Sequence, residues 1–100
     1  MKIPSRIKVG PKTYDVSMVD HAICVDRKEV GGCIDYNQCT IEVRTDFQKE
    51  QGQYETFLHE LVHAIVRYRN IDFKDDDELF TEEIARGLHS VLIDNPGIFN

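Results

Sequence analysis

Long apolar runs are absent from this sequence. No stretch approaches the roughly twenty consecutive apolar residues that a membrane-spanning helix requires. The first six residues, MKIPSR, also lack the apolar segment found in secretory signal peptides. We therefore expect a cytoplasmic protein that does not act at a membrane.

Closely paired cysteines are absent as well. The three cysteines, Cys24, Cys33 and Cys39, form no C-x-x-C pair. Their odd number and the lack of a secretion signal favour reduced thiols in a cytosol. Structural zinc sites usually take cysteines in closely spaced pairs, so we interpret these residues as small, semi-buried apolar side chains rather than metal ligands.

The chain has no surplus of basic residues. It contains 12 Lys and Arg against 18 Asp and Glu, giving a net charge of -6, and residues 72–83 account for the whole of this surplus. No basic stripe could follow a phosphate backbone, which argues against nucleic-acid binding. Most of the acidic segment is expected to be solvated at the start of a helix, with one or two carboxylates in a site.

The 100 residues and 41% hydrophobic content predict a single domain covering residues 1–100. Turn signals separate residues 3–9 from 13–19 and residues 33–36 from 39–44, which favours two β-hairpins. Residues 20–29 have no clear period and predict a loop or a short turn of helix. An antiparallel sheet of three or four strands follows, with one face available for helices.

Two helices are predicted after the sheet, one near residues 51–69 and one from about 77 to 93. Asn70 is expected to end the first helix. The fold class is therefore α+β, with an N-terminal sheet packed on two C-terminal helices. The apolar stripes expected in the core are Leu58, Leu61, Val62 and Ile65 on the first helix, and Ile84, Leu88, Val91 and Leu92 on the second.

The sequence H-E-x-x-H occurs on the first helix. Residues four apart on a helix lie one above the other, so His59 and His63 would present both imidazoles to one point that suits a zinc ion. Glu60 would project beside this point and could act on a water without being a ligand. The surrounding residues 57–65 are otherwise uncharged, which predicts a semi-buried wall rather than a surface helix.

A catalytic zinc usually takes three protein ligands and keeps one position open. The candidates for the third ligand are all on the second helix, and we favour Glu82 over Glu78, Glu83 and His89. A di-iron bundle would require a second E-x-x-H, which the sequence lacks. The remaining alternative is that His59 and His63 border the core without binding a metal.

Residues 57–65 resemble the active-site helix of zincin metallopeptidases, and residues 82–85 resemble the E-x-x-[SA] element of the subgroup with a glutamate as third ligand. Overall the chain is similar to small metallopeptidase-like proteins of phages and mobile elements, in the broad neighbourhood of the ImmA/IrrE type. The resemblance implies a minimal zincin-like domain with His59, His63 and Glu82 as zinc ligands and Glu60 as general base. Arg86 stands where such zincins have an aspartate that orients a zinc-binding histidine.

The resemblance implies zinc-dependent hydrolysis of a peptide bond in a protein substrate, with a zinc-activated water as nucleophile. It also implies that the substrate lies along a sheet edge, which we expect to be the strand at residues 39–44. Candidates for stabilising the oxyanion are Tyr54, Tyr68 and His89. The alternative function is a zincin-like module that binds a regulatory protein without hydrolysis. The sequence predicts no oligomeric state.

Overall fold

The computed structural model describes residues 2–71 and 77–94 and confirms the α+β layout. None of the helices in these two ranges is long and apolar enough to cross a membrane. The first part of the acidic segment, residues 72–76, lies outside these ranges. The elements in order are β1 (Arg6–Val9), β2 (Lys12–Val19), β3 (Ile23–Val25), β4 (Lys28–Val30), β5 (Gly32–Asp35), β6 (Thr40–Arg44), α1 (Glu50–Arg69) and α2 (Asp77–Asp94).

The main sheet has four strands in the order β1-β2-β6-β5. The two predicted hairpins are present, because β1 pairs antiparallel with β2 and β5 pairs antiparallel with β6. Gly10, in the turn between β1 and β2, has a φ of 59°. A Cβ atom at this position would collide with the ring of Tyr68, so glycine is required here both by the backbone angle and by the packing.

One strand pair in the sheet is parallel, so the prediction of a purely antiparallel sheet is wrong at this point. β2 runs parallel to β6, with Val16 opposite Ile41. β5 runs in the opposite direction to β2. The hairpin after β5 reverses the chain again, so β6 runs in the same direction as β2. Alternating apolar residues predict strands and their faces, but they do not show which strands become neighbours.

Residues 20–29 contain a hairpin, β3–β4, rather than the predicted loop or turn of helix. It forms a separate two-stranded sheet, and Asp26 and Arg27 make the turn with φ angles of 52° and 65°. Tight hairpin turns with two positive φ angles usually contain Asn-Gly or Asp-Gly. Asp-Arg lacks that signal, and this is why the hairpin was not predicted.

The core lies between one face of the main sheet and α1, and α2 packs against α1. Ile41 and Val43 of β6 are 0% exposed and pack with Phe57, Leu58 and Val62 of α1. Burying one such side chain contributes about 1.5–3 kcal/mol. The predicted α1 stripe is confirmed at Leu58 and Val62, whereas its last member, Ile65, is 39% exposed.

The buried face of α2 differs from the predicted one. Ile84 and Val91 are 45% and 47% exposed, although both were expected in the core. Ala85 is 2% exposed, and its short side chain allows α2 to pack closely against α1. The larger side chains on the other faces of α2 therefore turn outward. The residues of α2 that are buried or partly buried in the core are Thr81, Ala85, Leu88, His89 and Leu92.

Helix α1 ends as predicted at Asn70, which adopts the left-handed conformation with φ 53° and ψ 45°. Its N–H donates to the carbonyl oxygen of Arg67, and the N–H of Ile71 donates to that of Val66, so both carbonyl groups at the helix end have partners. This cap sets the length of α1 and turns the chain toward α2.

Candidate metal centre

His59 and His63 lie on consecutive turns of α1 and face the same point. Their Nε2 atoms are 3.2 Å apart, and the rings meet edge to face with centroids separated by 4.8 Å. Their side chains are 23% and 19% exposed, so they border the core and remain open to solvent on one side. The helical spacing predicted this pairing, and the structure shows it.

Glu78, in the first turn of α2, supplies a carboxylate to both imidazoles. Its Oε1 atom contacts Nε2 of His59, and its Oε2 atom lies 3.1 Å from Nε2 of His63. Within residues 2–71 and 77–94, these three side chains form the one group of His, Cys, Asp and Glu whose possible ligand atoms all lie within 4.8 Å of one another. The candidate centre therefore joins the two helices.

The spacing of the His63 nitrogen from each of the other two donors fits a tetrahedral zinc ion. Two nitrogens that each lie about 2.0–2.1 Å from a tetrahedral zinc are separated by about 3.3 Å. The 3.2 Å between the two histidine nitrogens matches that value, and the 3.1 Å from His63 to Glu78 is close to it. Two imidazoles and one carboxylate are also a known ligand set of catalytic zinc.

Glu82, the predicted third ligand, is not among the three converging donor groups. Its Oε1 atom accepts from Nη2 of Arg86 at 2.6 Å, and Arg86 also lies 3.6 Å from a carboxylate oxygen of Glu83. The approach of α2 to α1 brings the first turn of α2, not the second, to the level of the two histidines. Glu78, one of the open candidates, takes the predicted place.

Glu60 is buried beside the two histidines, with 7% of its surface exposed. Burial raises the pKa of its carboxyl group to about 7, and the negative charge of Glu78 adds to this effect. It lines the same cleft as the histidines but is not one of the three converging ligand groups. This is the location predicted for a group that handles protons next to a metal.

These residues lie in an open cleft with a volume of about 570 Å³. One side of the cleft is formed by β3, β4 and β5, and the other by the two helices. The helical side contains His59, His63, Glu60 and Glu78 together with Glu55, Glu82 and Arg86; the strand side contains Val25, Val30 and residues 31–34.

The strand that borders the cleft is β5, whereas the expected strand was residues 39–44. β6 pairs with β2 on one side and with β5 on the other, so its backbone cannot accept an additional strand. β5 lies at the end of the four-stranded order. A Cβ atom at Gly32 would lie 2.5 Å from Cγ2 of Thr56 and 2.7 Å from the carbonyl oxygen of Glu42, so β5 packs directly on α1 through this glycine.

The three residues considered for oxyanion stabilisation are absent from the described lining of the cleft. Tyr54 donates to Glu50 at 3.2 Å, and the ring of Tyr68 packs against the turn at Gly10. His89 is 4% exposed on the inner face of α2, where its Nδ1 atom lies 3.5 Å from Glu55. Their residue types suited the role, but their positions depend on helix packing that the sequence does not indicate.

The cysteines differ in exposure. Cys24 is exposed, while Cys33 and Cys39 are partly buried, and none forms a disulfide. Cys33 lines the cleft, and its thiol donates to Oε1 of Glu42 at 3.5 Å. Burial, together with the hydrogen bond and charge of Glu42, raises the pKa of this thiol to about 11. The prediction of semi-buried side chains for all three cysteines is therefore confirmed at Cys33 and Cys39 and wrong at the exposed Cys24.

Sequence reasoning missed the strand side of the cleft. Val25 and Val30 come from the unpredicted hairpin, and Gly32 comes just before the strand that was predicted at residues 33–36. The pair Gly31-Gly32 was the available signal, since adjacent glycines often mark a close approach of the backbone to another element. No protein-family model, curated protein or solved structure matches the chain. The function is therefore inferred from the geometry of the cleft.

Proposed function

We propose that the protein is a zinc-dependent metallopeptidase that hydrolyses a peptide bond in a protein substrate in the cytoplasm. The observation that supports this most directly is the convergence of His59, His63 and Glu78 beside the buried Glu60. The resemblance of residues 57–65 to the zincin active-site helix agrees with it. Bound zinc would lower the pKa of a water molecule toward about 7 and polarise the scissile carbonyl group.

The roles of the residues follow from their positions. His59 and His63 would hold the metal from α1 and Glu78 would complete the set from α2, so the site requires the two helices to stay in contact. Glu60 accepts the proton of the attacking water and then delivers it to the leaving amine. Because Glu60 is not among the three converging ligands, its carboxylate remains available for this transfer.

A polypeptide substrate fits the shape of the cleft. β5 borders it as the end strand of the main sheet, so an extended segment can pair with its backbone. The cleft is open and its strand side is short, with four residues in β5. We therefore infer a protein substrate that contributes binding surface of its own rather than broad degradation of peptides.

The first experiment measures zinc by elemental analysis in protein purified without added metal. About one equivalent supports the proposal, and less than about a tenth of an equivalent contradicts it. The second compares Glu60→Gln with wild type on fluorescein-labelled casein. The variant is expected to keep its zinc and lose hydrolysis, whereas Glu50→Gln, in the exposed first turn of α1, keeps both. Measurable hydrolysis that is equal in wild type and Glu60→Gln would exclude Glu60 as the base.

A second candidate function is a zinc-containing module that acts by binding a regulatory protein. The absence of Tyr54, Tyr68 and His89 from the described lining favours this candidate, because none of them reaches a developing oxyanion. The same Glu60→Gln variant separates the two functions in cells. If it retains the complete biological effect with its zinc in place, binding rather than hydrolysis is the function.

A further inference from the structure

The β3–β4 hairpin forms part of the cleft through two valines. Val25 and Val30 both line it, although the hairpin is separate from the main sheet. Val25, the last residue of β3, is a large apolar side chain that remains 43% exposed. The hairpin therefore adds an exposed apolar surface to a cleft whose helical side contains four glutamates and one arginine.

The turn next to Val25 has an unusual backbone. Asp26 and Arg27 both have positive φ angles, which cost a residue with a side chain about 1 kcal/mol or more. Glycine would remove this cost, and neither position has it. Two positive φ angles are the usual geometry of a tight hairpin turn, so the cost is accepted to close the hairpin at this point. Here the strained turn immediately follows the valine that lines the cleft.

The base of the hairpin is fixed to the rest of the domain. Ile23 is 7% exposed, and Glu29 pairs with Nη1 of Arg44 at 3.2 Å. Arg44 is itself held by Asp46, with contacts of 2.8 and 2.7 Å, and its guanidinium lies 4.4 Å from the ring centre of Phe47. These contacts place the hairpin at a defined position relative to β6 and therefore relative to the cleft.

We propose that Val25 and Val30 form a subsite that receives an apolar side chain of the substrate, which makes Val25 a specificity-determining residue. The inference builds on the proposed metallopeptidase function and adds to it the chemistry of the residue that is recognised. An apolar side chain would remove Val25 from water, whereas a carboxylate would lose hydration against the two valines. The glutamates on the helical side would also repel a carboxylate.

The test uses zinc-loaded protein and three hydroxamates of equal length, since a hydroxamate binds the metal and its side chain then samples the cleft. The side chains are isobutyl, carboxymethyl and methyl, and binding is measured by isothermal titration calorimetry. We expect the isobutyl compound to bind about 10-fold more tightly than the methyl compound and more tightly still than the carboxymethyl compound. Equal affinities within twofold would overturn the inference.

Two variants connect any preference to the hairpin. Val25→Thr keeps the shape of the side chain while adding a hydroxyl group, so it is expected to reduce the isobutyl preference about threefold or more. Met18→Thr is the matched control, because Met18 is also 43% exposed and is not among the residues that line the cleft. An unchanged preference in Val25→Thr overturns the inference.

The outcomes for the two proposals can be told apart. Zinc-loaded protein that binds all three hydroxamates equally contradicts the subsite and leaves the metal centre supported. Protein that binds no zinc overturns the metallopeptidase proposal, and the subsite with it, because the subsite is defined by its place beside that centre. A preference for isobutyl that Val25→Thr weakens and Met18→Thr preserves supports the inference whether or not casein is hydrolysed.

Discussion

Glu78 and Glu82 are one helical turn apart on α2, yet only Glu78 contacts the histidines. Its two carboxylate oxygens face His59 and His63, while the carboxylate of Glu82 pairs with Arg86 at 2.6 Å. Glu82 still lines the cleft and has 42% of its side chain exposed. The two glutamates therefore share a cleft, but only one completes the candidate zinc site.

The first prediction concerns the different contributions of Glu78 and Glu82 to zinc binding. Glu78→Ala is expected to lower zinc affinity about 100-fold or more, because it removes a ligand, whereas Glu82→Ala should change it by less than about threefold. A competition titration with a chromophoric chelator at constant pH measures both affinities. Glu83→Ala is the control, since Glu83 is exposed and near the same arginine. A larger loss of zinc affinity in Glu82→Ala than in Glu78→Ala would support Glu82 as the third ligand, as favoured from the sequence.

The sequence predicted the α1 half of the site and did not predict which residue of α2 completes it. His59, His63 and Glu60 are related by the period of one helix, and that period is a local property of the chain. The choice between Glu78 and Glu82 depends on the position of α2 along the axis of α1, and the packing of Ala85 fixes that position. A shift of one turn is about 5.4 Å, and the sequence contains no local signal for it.

The sheet also contains features that local sequence patterns do not predict. The β1–β2 and β5–β6 hairpins were predictable because their turns are short and their strands alternate. The parallel contact of Val16 with Ile41 depends on a pairing between strands that are distant in the chain. The exposed Ile84 has a similar explanation, because its type favours the core while the closest packing occurs at Ala85. Non-local packing decided each of these features.

The second prediction tests which apolar residues form the core. Ile41→Ala is expected to lower the free energy of unfolding by about 2–5 kcal/mol, because Ile41 is 0% exposed and its removal leaves a cavity. Ile84→Ala is the matched control and should cost less than about 1 kcal/mol, since this isoleucine is 45% exposed. Urea unfolding followed by circular dichroism measures both values. Similar losses would contradict the outward position of Ile84.

The third prediction concerns the ion pair between Asp46 and Arg44. The hydrogen bond from Arg44 holds the pKa of the Asp46 carboxyl group below its usual value of 3.8. A lowered folded-state pKa stabilises the fold above about pH 4, and this contribution is lost as the pH falls through the lowered value. Wild type should therefore exceed Asp46→Asn in its urea midpoint near pH 7, with the difference shrinking below pH 4.

Asp15→Asn serves as the control for that series. Asp15 pairs with Arg6 at 3.1 Å, but the two side chains are 64% and 73% exposed. Exposed pairs of this kind contribute little because water screens them, so the urea midpoint should change only slightly at any pH. If Asp46→Asn behaves in the same way as Asp15→Asn, the contact between Asp46 and Arg44 adds no more to stability than an exposed ion pair.

The fourth prediction concerns the thiol of Cys33. Its pKa of about 11 makes the thiolate about 100-fold rarer at pH 8 than for an ordinary cysteine with a pKa of 9.0. Alkylation by iodoacetamide should be correspondingly slow, and mass spectrometry can follow it with Cys24 in the same chain as an exposed reference. Because the folded thiol retains its proton more strongly, its contribution to stability is complete below pH 9 and is lost between about pH 9 and 11.

The variant Glu42→Gln tests how much Glu42 contributes to the slow alkylation of Cys33. Burial is the largest contribution to the raised pKa, and the hydrogen bond and charge of Glu42 come next. The variant removes the charge while leaving the burial, so alkylation of Cys33 should accelerate several-fold without reaching the rate of Cys24. An unchanged rate would show that burial alone protects the thiol.

The fifth prediction concerns the glycine that brings β5 against α1. A methyl group at Gly32 would lie 2.5 Å from Cγ2 of Thr56 and 2.7 Å from the backbone oxygen of Glu42. The second contact is with a backbone atom of the paired strand β6, so a side-chain rotation cannot relieve it. Gly32→Ala is expected to cost about 1–3 kcal/mol of unfolding free energy, measured with urea. Gly87→Ala is the control, because a Cβ atom there meets nothing within 4 Å and alanine favours the helix.

The double variant Gly32→Ala with Thr56→Ser separates the two contacts. Serine removes the Cγ2 atom and keeps the hydroxyl group that donates to Gln48 at 2.9 Å. Because the contact with the Glu42 backbone remains, the double variant should recover only part of the lost stability. Complete recovery would mean that β5 can move away from β6 at this point. The edge strand that borders the cleft would then be adjustable rather than fixed, and the affinities of the three hydroxamates should change in the Gly32→Ala protein as well.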